Sequence, residues 1–197
     1  MHLSCPFVLA SQSPRRVHLL NMMGLAFEQH PADIEEVVEH GLAPEAVVRS
    51  LARQKAEAVA AVRPDALVLG ADTIVVLDGE ILGKPDDPAH ARALLRRLSG
   101  RTNTVYTGLA LAHPATDRLE TTFRATDVTF SDLSDAEIAA YVATGSPLDK
   151  AGAYGSQDDR GALFIERYEG DFYTVVGLPV NALYHFLRDR FGDLFTP

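Results

Sequence analysis

Cysteine is almost missing from this chain, since Cys5 is the only one among 197 residues. A single cysteine excludes an internal disulfide and a zinc site built from several cysteines, and it suits a reducing cytoplasm. Long apolar runs are missing too: the longest, residues 66–77, is interrupted by Asp72 and is too short to span a bilayer. The first residues lack a basic stretch followed by an apolar one. We therefore expect no signal peptide and a cytoplasmic location.

Lysine is also scarce. Of the 18 lysine and arginine residues only Lys55, Lys84 and Lys150 are lysines, which leaves fifteen arginines. Where arginine is the general cation, a lysine can mark a position that needs a compact ammonium, although chance placement would give the same pattern. The net charge of −9 should repel nucleic acid, and no membrane partner is expected. A pocket with a few cations could still bind a small anionic substrate.

Hydrophobic periodicity predicts one α/β domain over residues 1–197, with a mixed, twisted sheet and flanking helices. Ser13, Asp87 and Ser134 are predicted helix N-caps, and Asp78-Gly79 predicts a hairpin turn. The predicted helices are residues 14–23, 44–62, 87–98, 134–144 and 179–191. The predicted strands are residues 7–11, 67–77, 81–82, 102–112 and 118–130, with a strand or loop ending in acids at 27–36. An irregular loop is predicted at 146–160, then a hairpin of strands 162–167 and 173–176. Arg118 is expected to be solvated.

Three segments carry candidate site residues in the first half of the chain. Arg15 and Arg16 lie in the first turn of a helix, where the helix dipole disfavours each cation by about 0.3–1 kcal/mol. An anion cradle or a solvated pair of arginines would explain them equally well. Lys55 falls on the apolar stripe of its helix, so it must extend to solvent, pair with an acid or meet a ligand. Asp72, inside an apolar strand, is either a structural carboxylate or a general base or cation ligand.

The second half offers a glycine-rich loop, residues 149–157. Lys150, Tyr154 and Gln157 could contact a ligand there, with Tyr154 packing on a base and Gln157 reading its edge; an ordinary surface loop is the alternative. No Walker motif occurs in the chain. Lys84 before Pro85 is either aimed at a site or a solvated turn residue. Taken together, the cations and acids indicate a triphosphate with a divalent cation as the ligand class.

Seven blocks, in order along nearly the whole chain, resemble the Maf family. They are Leu9-Ala10-Ser11-Gln12-Ser13-Pro14-Arg15-Arg16, Arg53-Gln54-Lys55-Ala56, Gly70-Ala71-Asp72-Thr73, Gly83-Lys84-Pro85, Leu98-Ser99-Gly100, Pro147-Leu148-Asp149-Lys150-Ala151-Gly152-Ala153-Tyr154-Gly155 and Val176-Gly177-Leu178-Pro179. The resemblance implies a nucleoside triphosphate pyrophosphatase with two lobes around a central cleft, similar to the inosine triphosphatase fold. The sequence departs from the family pattern at two places. Gln12 stands where small residues are common, and the end of the glycine-rich loop, Ser156-Gln157-Asp158-Asp159, is more acidic than expected.

The resemblance also implies roles for individual residues. Asp72 matches the proton acceptor, and Glu35 with Asp72 would hold a divalent cation, Mg²⁺ or Mn²⁺. The other substrate-binding positions are Ser11, Arg15, Arg16, Lys55, Thr73, Lys84, Lys150 and Gln157. Arg15, Thr73 and Gln157 match the branch acting on dTTP and UTP. The alternatives are a 7-methyl-GTP or purine pyrophosphatase, or a nucleotide-binding regulator of cell division without turnover. The expected partner is a small nucleoside triphosphate, and a homodimer is left open.

Overall fold

The computed structural model describes residues 1–39, 41–157 and 160–196, and most of these residues belong to helices, strands or short 3₁₀ turns. The helices are α1 Pro14–Met22, α2 Pro44–Ala60, α3 Pro88–Leu98, α4 Asp135–Val142, α5 Phe172–Val176 and α6 Val180–Arg190. The strands are β1 His2–Leu3, β2 Phe7–Leu9, β3 Glu28–Gln29, β4 Leu67–Leu77, β5 Glu80–Leu82, β6 Thr102–His113, β7 Arg118–Phe130, β8 Ile165–Glu169 and β9 Phe195–Thr196. Short 3₁₀ turns cover Pro114–Thr116, Ser146–Asp149, Ala151–Ala153 and Arg160–Phe164.

Local chemistry explains where several helices begin. The backbone N–H of Arg16 donates to the Ser13 hydroxyl, and that of His90 donates to the Asp87 carboxylate. Ser134 forms the predicted capping box, in which the Glu137 carboxylate also accepts from the Ser134 N–H. These bonds satisfy backbone donors that the first turn leaves unpaired. Hydrogen bonds from the Ser134 hydroxyl and from the Ser134 N–H to this carboxylate lower the pKa of Glu137. The three predicted N-caps are confirmed.

The main sheet is mixed. Its strands lie in the order β3-β2-β4-β6-β7-β8, and β5 pairs with β4. β2 runs parallel to both β3 and β4, while the β4–β5 and β7–β8 pairs are antiparallel. β1 and β9 form a separate antiparallel pair. The predicted α/β class with a mixed sheet is confirmed, and among the described residues none of the helices is both long and apolar enough to cross a membrane.

The chain divides into two compact units. The first contains Met1–Asp72, Thr107–Arg124 and Gly177–Pro197, and the second contains Thr73–Tyr106 and Ala125–Val176. The division falls within β4 and within the neighbouring strands β6 and β7. A single domain over residues 1–197 stays a prediction.

Helix α2 lies unusually close to the sheet in the first unit. A methyl group on Gly70 would lie 2.1 Å from the carbonyl oxygen of Ala52, and one on Gly108 would lie 2.2 Å from that of Val48. Glycine at these two positions lets the helix backbone approach the strands directly. Small apolar side chains complete this core. They are Val8, Ala10, Ala52, Ala56, Val59, Ala60, Ala66, Val68, Ala110 and Ala112.

The core of the second unit has larger side chains, and it contains Tyr154. The Tyr154 ring packs edge-on against Phe130 with centroids 4.8 Å apart, and its hydroxyl donates to Asn103 Oδ1 at 3.0 Å. Burial raises the pKa of the Tyr154 phenol. The interpretation that Tyr154 packs on a nucleobase is therefore wrong, because the ring is a core residue that is only 6% exposed.

Two further expectations need correction. Residues 173–176 belong to helix α5 and not to a hairpin strand, because Asp171 caps this segment: its carboxylate accepts the Tyr173 N–H at 2.9 Å. Only the first half of the predicted hairpin, β8, is a strand. Arg118 is not simply solvated, since it binds both carboxylate oxygens of Asp193 and lies 4.7 Å from the centroid of the Phe191 ring.

Candidate active site

The segment between β2 and α1 brings Ser11 and Arg16 together in the first unit. Arg16 Nη1 donates to Ser11 Oγ at 3.1 Å, and its Nε donates to the Gly177 carbonyl at 2.9 Å. The Ser13 N–H also donates to Ser11 Oγ, at 3.2 Å, so the oxygen of this buried hydroxyl accepts twice. Gln29 Nε2 adds a bond to the Ser11 carbonyl at 2.8 Å. The start of α1 is thus tied to two distant parts of the chain, through the Gly177 carbonyl and the Gln29 side chain.

Charged groups surround Arg16. Burial lowers the pKa of its guanidinium, and the nearby positive charge of Arg15 adds to that lowering. The negative charges of Asp72 and Glu36 act in the opposite direction. Arg15, Asp72 and Glu36 therefore each lie close enough to Arg16 to influence its charge. The structure therefore brings together the predicted base, Asp72, and two of the predicted cations, Arg15 and Arg16.

Lys55 is the link between helix α2 and strand β4. Its Nζ lies 2.5 Å from Asp72 Oδ1 and 2.9 Å from Glu36 Oε1. The side chains of Lys55 and Asp72 are only 14% and 12% exposed, whereas that of Glu36 is 43% exposed. Of the three outcomes open to Lys55, the structure shows pairing with acids. Asp72 has the charged partner that a carboxylate inside a buried strand requires.

Glu36 was not among the predicted site residues, although it follows Glu35 directly. The structure places Glu35 on the surface and brings the carboxylate of Glu36 to Lys55. Two adjacent acids at the end of the segment were visible in the sequence, but nothing local shows which of them turns toward the helix. The role of Glu35 as a metal ligand stays a prediction.

Gln54, next to Lys55 on α2, was also missed. Its side-chain amide forms two hydrogen bonds with the backbone of Val37: Oε1 accepts the Val37 N–H at 2.9 Å, and Nε2 donates to the Val37 carbonyl at 2.8 Å. Nε2 also lies 3.2 Å from Ser50 Oγ. A glutamine beside a lysine on a helix gives no sequence sign of such a long-range contact.

The remaining predicted site residues belong to the second unit. Thr73 is half-buried and follows Asp72 on β4, where successive side chains project to opposite faces of the sheet. Lys84 and Gln157 are exposed. Lys150 Nζ donates to the Ser146 carbonyl at 2.6 Å, to Ser146 Oγ at 3.0 Å and to Asp149 Oδ1 at 2.8 Å. Because an ammonium has three donors, Lys150 is already well satisfied within its own turn. The substrate contacts of these four residues stay predictions.

The carboxylates near Lys55 fit a magnesium or manganese ion. Asp72 and Glu36 both direct an oxygen at one cationic group, the Lys55 ammonium, so this position already favours positive charge. Hard divalent cations take oxygen ligands, and Mg²⁺ commonly uses one or two carboxylates together with substrate phosphates. Among the described residues, no group of three or more His, Cys, Asp or Glu side chains gathers as a metal site.

Comparison with known proteins agrees with the geometry. The chain is 55% identical over 194 residues to the dTTP/UTP pyrophosphatase of Salinibacter ruber, covering 98% of this chain and 95% of the relative. It is 56% identical over 173 residues to the dTTP/UTP pyrophosphatase of Moorella thermoacetica, covering 88% and 89%. The Staphylococcus aureus Ham1 protein shares the fold, with a TM-score of 0.55, 17% identity and coverage of 93% of this chain and 98% of that one. The family model described as Maf-like protein matches residues 6–190, and the chain belongs to this family.

Proposed function

We propose that this protein is a nucleoside triphosphate pyrophosphatase that converts dTTP and UTP to the monophosphate and pyrophosphate. The observation that carries the proposal is the ion pair of Lys55 with the buried Asp72 carboxylate, close to the guanidinium of Arg16 and its neighbour Arg15. Three cations suit a triphosphate, and a buried carboxylate beside them suits a proton acceptor. The names of the relatives from Salinibacter ruber and Moorella thermoacetica support the same reaction and the same two substrates.

The proposed chemistry is hydrolysis at the α-phosphorus. A water oxygen forms the new bond to that phosphorus while the bond to the bridging oxygen of the β-phosphate breaks. The proton of the water passes to the Asp72 carboxylate, and pyrophosphate leaves with the bonding electron pair. Arg15, Arg16 and Lys55 stabilise the negative charge that accumulates on the leaving group.

Ser11 would add a donor to this site. In both of its described contacts the hydroxyl oxygen is the acceptor, from the Ser13 N–H and from Arg16 Nη1. Its own proton can then be donated to a phosphate oxygen. The N-terminus of α1 adds a dipole that is favourable for an anion, and a bound phosphate would offset the local cost of two arginines in its first turn.

The proposal includes a divalent cation. Asp72 would hold it, with Glu36 or the predicted Glu35 as the second carboxylate. When bound, Mg²⁺ or Mn²⁺ would neutralise phosphate charge and orient the triphosphate. Choice of the base is assigned to Arg15, Thr73 and Gln157. The amide of Gln157 can donate one hydrogen bond and accept another, which suits the O4 and N3–H edge of uracil or thymine.

The finer biological setting also belongs to the proposal. We infer a cytoplasmic enzyme that acts as one domain and removes unwanted pyrimidine nucleotides. Light scattering on the purified protein tests for the homodimer that the sequence left open.

An assay of product and substrate tests the function directly. Purified protein with Mg²⁺ or Mn²⁺ is given dTTP, UTP, CTP, GTP and 7-methyl-GTP in separate reactions, and pyrophosphate and orthophosphate are both measured. We expect pyrophosphate from dTTP and UTP. Orthophosphate as the first product would refute the reaction class, and a preference for 7-methyl-GTP would refute the substrate branch. Nucleotide binding without turnover would indicate a regulator instead.

A further inference from the structure

The loop that carries Glu35 and Glu36 is attached to helix α2 mainly through its backbone. Residues 30–39 form no helix or strand, and the side chains of Val37 and Val38 are 62% and 48% exposed. Burial of apolar side chains therefore does little to hold the end of this loop in place. Among the described residues, the contacts that hold it include the two hydrogen bonds between Gln54 and the Val37 peptide groups and the ion pair of Glu36 with Lys55.

Gln54 is well matched to this task. A primary amide carries one acceptor and two donors, and here Oε1 and Nε2 meet the N–H and the carbonyl of the same residue at 2.9 and 2.8 Å. The pairing imitates one rung of a β-ladder and fixes both the position and the orientation of the Val37 backbone. Ser50, one turn earlier on α2, accepts a further hydrogen bond from Nε2 at 3.2 Å.

The position of Val37 determines where Glu36 points, because the two residues share a peptide group. Gln54 and Lys55 are also neighbours, so α2 contacts the loop at two adjacent points. Gln54 binds the Val37 backbone, and Lys55 binds the Glu36 carboxylate. A loop free to move would leave the Glu36 carboxylate, which is 43% exposed, to sample solvent. Its contribution to the charge around Asp72 would then be lost for part of the time.

We propose that Gln54 is a positioning residue that holds the backbone of Val37 so that Glu36 faces Lys55 and Asp72, and that it thereby sets the affinity of this site for a divalent cation. The inference rests on the proposed function for its biological meaning. The positioning itself is a property of the chain and can be measured without any nucleotide.

The experiment compares the full-length wild-type protein with Gln54→Met, a replacement of similar size that keeps neither hydrogen bond. Hydrogen exchange of the Val37 amide reports the contact itself, and Mn²⁺ binding followed by electron paramagnetic resonance reports the site. We expect Val37 to exchange faster and Mn²⁺ affinity to fall about 10-fold, the range typical for residues that orient metal ligands. In a Glu36→Gln background, Gln54→Met should produce no further loss of affinity, because its effect passes through Glu36.

Matched variants separate positioning from general destabilisation. Ser50→Ala keeps both contacts to Val37 and should bind Mn²⁺ as the wild type does. Gln54→Glu keeps an acceptor for the Val37 N–H but repels the Val37 carbonyl, so an intermediate affinity is expected, and it replaces Gln54→Met if that variant does not fold. Unchanged Val37 exchange, faster exchange with unchanged Mn²⁺ affinity, or a wild-type protein that does not bind Mn²⁺ would each overturn the inference. Failure to hydrolyse dTTP would overturn only the proposed function, since neither readout uses nucleotide.

Discussion

Replacing Lys55 with arginine keeps the charge of the site and changes only its shape. In the structure, one compact ammonium meets two carboxylates, with Nζ 2.5 Å from Asp72 Oδ1 and 2.9 Å from Glu36 Oε1. The lysine side chain is 14% exposed, so a larger head group has little solvent-facing space to occupy. A guanidinium is planar and places its donors differently from an ammonium. Lys55→Arg must therefore displace either its own head group or the Asp72 carboxylate.

The size of the effect follows from that displacement. A guanidinium extends about 1 Å further than an ammonium, and a misplacement of that size at a reacting centre can cost about 100-fold in rate. We expect kcat/KM for dTTP to fall about 100-fold, which corresponds to about 2.7 kcal/mol of lost transition-state stabilisation. Folding should suffer less, because the buried charge keeps its partners.

Steady-state release of pyrophosphate from dTTP measures this effect, and a thermal melt checks that the variant is folded. Arg92→Lys, the reverse exchange at an exposed position, is the control and should be silent. Lys84→Arg should lose less activity than Lys55→Arg, since Lys84 is exposed and has room for a larger head group. A folded Lys55→Arg enzyme with wild-type kcat/KM would refute the idea that the site requires an ammonium.

Four further outcomes are expected. Asp72→Asn should keep the fold and lower kcat about 10²–10⁴-fold, as measured by pyrophosphate release, because the proton acceptor is lost. Gln157→Ala should reduce the preference for dTTP over GTP, measured as the ratio of kcat/KM values, without lowering the melting temperature. Lys150→Met should lower the free energy of unfolding by about 1–3 kcal/mol in a urea titration, because the acceptors in its turn lose their donor. Asp193→Asn should lower the melting temperature at neutral pH, and this difference from the wild type should disappear in acid.

The sign of the last effect comes from Arg118, whose hydrogen bonds lower the pKa of Asp193 in the folded chain. A carboxyl group with a lowered folded pKa stabilises the fold above its unfolded pKa of about 3.9, and this stabilisation is lost as the pH falls through the folded value. A melting-temperature difference that does not change with pH would contradict the assignment. The other three would be contradicted by normal turnover of folded Asp72→Asn, by an unchanged nucleotide preference in Gln157→Ala or by an unchanged free energy of unfolding in Lys150→Met.

The elements that depend on local chemistry were predictable from the sequence. The caps at Ser13, Asp87 and Ser134 use side chains within three residues of the backbone they bind, so their patterns are legible in a short window. Helix α5 was missed for a related reason. Its residues, Phe172–Val176, are aromatic and β-branched and thus typical of a strand, and the Asp171 cap decides the structure against that preference.

For residues that contact distant segments, the sequence predicted only a choice of possible partners. The sequence indicated that Lys55 and Asp72 each needed a partner, but not that they would be partners of each other across 17 residues. Tyr154 shows the limit most clearly. A tyrosine in a glycine-rich loop looks available for a ligand, and only the packing of Phe130 and Asn103 around it reveals a core residue.

The two glycines beneath helix α2 make the position of the candidate base dependent on backbone spacing. Because Gly70 and Gly108 leave no room for even one carbon between strand and helix, the distance from β4 to α2 has essentially no adjustable component. Lys55 and Gln54 belong to that helix, and Ala52 and Val48 lie within about two turns of Lys55, so the distance from the ammonium to Asp72 depends on this backbone packing. An alanine at either glycine would push helix α2 away from the sheet. Because Lys55 and Gln54 would move with the helix, this change should lower activity without altering any residue of the site. Substitutions that preserve this site should therefore be side-chain exchanges, since the spacing between the backbones of α2 and the strands cannot change.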